Sequence, residues 1–229
     1  MKYKPLIGDQ MSGSMGGVVA SHNKGGTYFR QRAIPVNSNT SFQQAVRSVF
    51  TSLAAAWNGT LTQAQRDAWK VYADNTPVTD RIGATIVLPP MSMYIRSNTA
   101  RLQMGLARVD AGPTTFGLPE FTPPTITSFS EATQDLTLAF TNTDDWAGAV
   151  GGAMSVLISR PVNPSKVYFK GPYRFADAIL GAATPPTSPA TIAAPFPFVE
   201  GQKLFLQARV TDVEGRLSGT FLGGIVAVA

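Results

Sequence analysis

Between residues 42 and 57 the apolar side chains Phe42, Ala45, Val46, Val49, Phe50, Leu53, Ala54 and Trp57 recur at alternating intervals of three and one. That spacing keeps one face of a 3.6-residue turn apolar, so the segment is constrained to be an α-helix. Thr40 or Ser41 can cap its start, and the Asn58-Gly59 pair stops it. Thr62 followed by Gln65 forms a T-x-x-Q capping box that opens a second helix carrying Ala68, Trp69, Tyr72 and Ala73 and ending near Asn75-Thr76-Pro77. So short a connection predicts an antiparallel helical hairpin, with Trp57, Trp69 and Tyr72 supplying its large buried rings. A short strand is expected over 84–88, stopped by Pro89-Pro90. A third helix is expected from Ser92, with Tyr94, Ile95, Asn98, Leu102 and Leu106 on one face and an end before Gly112-Pro113.

The period then changes. Residues 111–124 (AGPTTFGLPEFTPP) are rich in proline and glycine and read as a linker. Beyond them, 126–130, 136–140, 154–159 and 167–169 are short β-prone runs separated by turn residues. Leu204, Leu206, Ala208 and Val210 alternate onto one face of another, and Glu214-Gly215 turns into a last strand at about 219–228. A proline-rich crossing over 181–198 holds one further candidate at 191–193. Many short strands with frequent turn signals predict an antiparallel β-sandwich. The fold class is therefore α+β, in four parts. An extended glycine-rich arm (1–39) precedes a helical domain (40–110), a linker (111–124) and an immunoglobulin- or fibronectin-III-like sandwich (125–229).

The arm has no sustained period, only weakly alternating pieces near 18–21 and 27–32. Ordering it costs about 1–2 kcal/mol of backbone entropy per residue, with few apolar side chains to offset that. Charged residues make up only 14% of the chain, against about 25% in an average globular protein. So little solubilising charge favours a surface that is covered in the working state. Residues 1–110 hold 12 basic and 5 acidic residues, and 111–229 hold 7 and 9, so the N-terminal half is the basic one. Neither a leader peptide nor an apolar stretch of membrane-spanning length is expected.

Chemistry has few places to hide. With no cysteine, thiolate nucleophiles, thiolate metal sites and disulfides are excluded. His22 is the single histidine, so a histidine-dependent triad would rest on a glycine-rich loop, and a metal site built on several histidines has no ligands. Ser14 fails the G-x-S-x-G elbow because residue 12 is serine, and Lys24 precedes its glycines instead of following them as a phosphate loop requires. Asp144 and Asp145 are adjacent, poorly placed for paired acid–base work, and read as a solvated turn. No catalytic residue, cofactor or metal is assigned. Lys24, Tyr28, Phe29, Arg30, Arg32 and Arg47 form the candidate partner-binding set. Their cations and rings can track a nucleic-acid backbone or pair with carboxylates at a protein interface, and beside a helical hairpin the protein interface is preferred.

The motifs GSMGG, KGGTYFRQR, P-x-N at 35–37, QQAVRSVF and LTQAQRDAW-x-x-YA, which together run from Gly13 to Ala73, resemble the N-terminal half of uncharacterised tailed-bacteriophage and prophage proteins. The C-terminal region, with LFLQARVTDVEGRLSG as a late strand, turn and last strand, resembles the fibronectin-III or immunoglobulin-like sandwiches that decorate phage particles. The resemblance implies a non-enzymatic virion protein, assembled in the host cytoplasm and associated with the head as a minor capsid, decoration or cement protein. Its partners would be major capsid or connector proteins and further copies of itself, with no membrane and no cofactor. The alternatives it leaves open are a tail or head–tail connector component and a nucleic-acid-binding packaging factor.

Overall fold

The computed structural model describes residues 2–3, 12–23, 26–34, 36, 39–79 and 84–229. The chain divides into two compact units, Met1–Gln44 and Ala45–Ala229.

The first unit is an antiparallel sheet of β1 (Lys2–Tyr3), β2 (Gly13–Met15), β3 (Val18–Asn23) and β4 (Gly26–Gln31), in the order β1-β4-β3-β2. The weakly alternating pieces of the arm thus become β3 and β4, paired from Val18↔Gln31 to Asn23↔Gly26. The arm is therefore more than an extended segment. The Gly16-Gly17 turn folds β2 back on β3, and cross-strand pairing satisfies backbone groups that a lone arm would leave to water.

The second unit begins with helices. α1 (Ser41–Gly59) and α2 (Gln63–Asn75) are joined by three residues, where the sequence places the join. The capping box of α2 is complete: Thr62 Oγ1 accepts from the Gln65 N–H at 3.3 Å, and Gln65 Oε1 accepts from the Thr62 N–H at 2.9 Å. Arg66 donates to the Trp57 and Asn58 carbonyls, satisfying acceptors that the end of α1 would otherwise leave open. After a two-stranded ribbon of β5 (Val78–Thr79) and β6 (Thr85–Ile86), α3 (Pro90–Gln103) packs along α2. The helical core holds Leu53, Ala56, Trp69, Tyr72, Met93 and Tyr94, with the Tyr94 ring 5.4 Å from Trp57 and 5.5 Å from Trp69. α1 reaches this core through its C-terminal half, from Val49 onward.

α3 stops earlier than its apolar face suggests. The Gly105 N–H bonds Leu102 O and the Leu106 N–H bonds Arg101 O, a Schellman closure that needs the left-handed backbone of Gly105 (φ +77°). Leu106 therefore lies beyond the helix.

The segment read as a linker is bound to its neighbours along its length. Gly112 passes so close to α2 that a Cβ there would meet the Ala68 carbonyl carbon at 2.5 Å. Just before it Trp69 Nε1 donates to Asp110 O (2.9 Å), and within it Gly117 N–H donates to Thr76 Oγ1 (3.1 Å), Thr114 Oγ1 to Glu214 (2.5 Å), and Thr122 to Asp144 through both N–H and Oγ1 (2.8 and 3.0 Å). It is a strap joining helices to sandwich.

The sandwich comprises β7 (Thr125–Ser130), β8 (Asp135–Ala139), β9 (Ala153–Ser159), β10 (Tyr173–Leu180), β11 (Ala190–Ala193), β12 (Lys203–Thr211) and β13 (Phe221–Val226). Its sheets have the orders β10-β9-β12-β13 and β11-β8-β7, all antiparallel within each sheet. Their inner faces share one core, with Phe129, Leu136 and Leu138 from one sheet meeting Met154, Ile158 and Leu206 from the other. One expected strand is corrected. Residues 167–169 form a loop, and the strand lies at β10, where a register shift between Phe175 and Asp177 turns over the alternation and hides it in the sequence. Among the described residues no helix is long and apolar enough to cross a membrane.

Candidate functional site

Sheet geometry sorts the six partner-binding candidates. Tyr28 and Arg30 are two residues apart on β4 and share a face with their cross-strand neighbours Ser21 and Val19. Phe29 points the other way, over Ala20, where it lines a shallow hollow of about 420 Å³ with Met15 and Val18. Arg32 follows β4, exposed, its backbone N–H bonded to Gly17 O at 2.8 Å. Arg47 is exposed on α1 in the second unit, and Lys24 lies outside the described residues. The set is thus spread over two faces of one sheet and a helix of the other unit.

α1 carries the larger exposed apolar surface. Phe42, Val46 and Phe50 follow one another at successive turns and remain 49, 39 and 45% exposed. Burial begins at Leu53. The apolar stripe that dictates the helix therefore serves the core at one end and is half-exposed at the other.

The residues weighed for chemistry have structural surroundings. His22 is exposed on β3 opposite Thr27. Both Asp144 oxygens are occupied by Thr122, while Asp145 is exposed. Among the described residues no group of three or more His, Asp or Glu could hold a metal ion. Among the described residues the most deeply placed cation, Arg101, is 4% exposed and donates to the carbonyls of Ala107, Gly151 and Asp212. Arg96 and Arg209 are partly buried, with Arg96 Nη1 and Arg209 Nε enclosed and unpartnered. Burial lowers both pKa values, and Arg96 lowers that of Arg209 further.

A basic, aromatic surface escapes the sequence reading altogether. Phe169, from the loop that precedes β10, stacks on Phe205 of β12 at 5.8 Å and meets Tyr173 edge-on at 5.2 Å. Lys166 lies 5.3 Å from the Phe169 ring and Lys203 5.2 Å from Phe205, while Arg160 and Arg174 flank Phe196 at 5.5 and 5.8 Å. The run 160–174 contains four basic residues and no acidic one, a local signal that the sequence offers. The addition of Lys203 and Phe205 from a distant strand is supplied only by folding.

The chain matches no protein-family model, no curated protein and no solved structure.

Proposed function

We propose that this protein is a non-enzymatic structural subunit of a tailed-phage particle, associated with the head shell, which docks on neighbouring subunits through its N-terminal sheet and the start of α1. The observation that carries this reading is the exposed apolar pair Val46 and Phe50, one turn apart on a helix whose other end is firmly packed. Burying a Val or Phe side chain is worth about 1.5–3 kcal/mol, so a partner that covered this half-exposed pair would gain a few kcal/mol. Arg30 and Arg32, exposed in the sheet unit, would pair with carboxylates of a partner in a contact of the sheet's own. The seven-stranded sandwich, split four and three, supports the likeness to immunoglobulin and fibronectin-III modules. The phage assignment itself rests on the motifs between Gly13 and Ala73.

The test is incorporation. In purified particles the protein should be found by quantitative mass spectrometry at a copy number matching shell positions, and a Val46→Ser, Phe50→Ser chain should fold normally yet be missing. A stoichiometry of one ring at a vertex would move the protein to the connector. Absence from particles would end the structural reading.

A further inference from the structure

We propose that copies of this chain associate head to tail through the two ends of the sandwich, the basic aromatic end of one copy seating against an acidic hollow on the next. This names one partner for the assembly reading above and rests on it only for biological purpose, since the contact is between identical chains in solution.

Charge is separated along the strands. Five of the seven basic residues in 111–229, namely Arg160, Lys166, Lys170, Arg174 and Lys203, lie where β9 ends and β10 and β12 begin. At the far end of the same strands, before β9 begins and beside the end of β12, the hollow lined by Glu120, Phe121, Thr122, Thr143, Asp144 and Asp145 has a volume of about 460 Å³. No basic residue lines it, and the one cation of the adjoining hollow that shares Glu120 and Asp145, Arg216, is paired with Asp212. β9 has seven residues, which places the two ends about 20 Å apart and beyond reach of each other within one molecule. Between molecules they are complementary.

Each end is built to meet a partner. On the basic side Val167 and Tyr168 are 89 and 65% exposed, an apolar tip among cations, and Leu222 of β13 extends it. Lys166, Lys170 and Lys203 make no ion pair among the described residues. The Phe169 and Phe205 rings are stacked on each other with lysines beside them, so Tyr168 alone projects. An apolar centre with a cationic rim suits a protein surface, whereas a single-stranded nucleic acid calls for successive open rings. Glu131, Asp135 and Glu200 also lie toward this end, on the β7–β8 hairpin and the loop before β12, and Glu131 accepts the Glu200 N–H at 2.7 Å. On the acidic side Thr122 holds Asp144 in place, leaving Glu120 and Asp145 exposed and without a hydrogen-bonding partner among the described residues. A contact between different ends is heterologous, so it repeats into a ring or a file of subunits.

Sedimentation velocity on the full chain tests this. The mean mass should rise with protein concentration at about 0.1 M salt and fall to the monomer at about 1 M, where the screening length shrinks from ~10 to ~3 Å. A Lys166→Glu, Lys170→Glu chain should be monomeric alone, and so should a Glu120→Lys, Asp145→Lys chain. Their equimolar mixture should associate, because one then carries two acidic ends and the other two basic ends. Circular dichroism and melting confirm that both variants are folded. The proposal is overturned if the wild type is monomeric throughout, if either variant alone associates like the wild type, or if the mixture stays monomeric. It is equally overturned if the wild type is monomeric and binds a single-stranded oligonucleotide in a manner abolished by Lys166→Glu, Lys170→Glu. None of these outcomes touches incorporation into particles, which mass spectrometry reads separately.

Discussion

Arg101 is a buried guanidinium whose hydrogen bonds all go to carbonyls: Ala107 and Gly151 at 3.0 Å and Asp212 at 2.6 Å. Burial lowers its pKa, and the nearby Asp212 carboxylate acts in the opposite direction. Removing the side chain strands three acceptors at once, so Arg101→Ala is expected to lose about 3 kcal/mol in urea unfolding, and Arg101→Lys to recover only part, since an ammonium lacks the planar fork. Tyr94, wholly buried between Trp57 and Trp69, makes a pH prediction. Burial, the largest cause, pushes its phenol from 10.0 up to about 12, with the Arg108 guanidinium acting against it and Asp110 adding to it. A pKa raised on folding means that the neutral form is the one the fold favours. Its contribution is full below pH 10, declines through the window between the two values and is gone above about 12. Denaturation midpoints of Tyr94→Phe and the wild type, compared from pH 8 upward, should therefore differ in slope only above pH 10, with the phenylalanine chain losing less.

At the scale of elements, legibility followed chemistry that is local in sequence. α2 was readable because its cap is a sequence pattern, and the pattern predicts its own cost: Thr62→Ala should destabilise by about 1 kcal/mol in thermal unfolding, with Thr62→Ser close to neutral. The end of α3 was signalled by Gly105, yet the apolar Leu106 just beyond it continues the helical face and conceals the stop. β10 was unreadable for a different reason. Tyr173 and Phe175 lie on one face, and after the register shift Asp177 and Ile179, of the same parity, lie on the other, so no single period-2 template fits across it. The candidate site was legible only in part. Alternation along β4 already separates Phe29 from Tyr28 and Arg30, a consequence of the pleat that composition alone does not expose. The pairing of Phe169 with Phe205 is set by tertiary folding, and no spacing rule brings a loop and a strand so far apart in the chain together.

For the molecule as a whole, the consequential finding is that residues 45–229 act as one compact unit although their hydrophobic clusters are two. The connection is polar. Arg101 ties α3 to the loops flanking β9 and β12, Glu214 receives Thr114 Oγ1 and the Thr115 N–H, and Asp144 receives Thr122, so the strap is held by both layers. Hydrogen bonds from Thr114 and Thr115 hold the Glu214 carboxyl below its usual pKa, against a smaller effect of burial. Two cores joined in this way should unfold together as long as the strap is intact. The tryptophans make this measurable, because Trp57 and Trp69 belong to the helical cluster and Trp146 to the sandwich. A chain keeping only Trp146 and a chain keeping only Trp69 should give coincident fluorescence transitions in urea when each is compared with its own circular-dichroism curve. Adding Glu214→Ala and Arg101→Ala removes the strap's latch and its buried fork, and the two reporters should then separate, with one cluster melting at lower denaturant than the other. Coincident transitions in that doubly substituted background would mean that packing between α3 and β12, and not the polar strap, makes the unit cooperative.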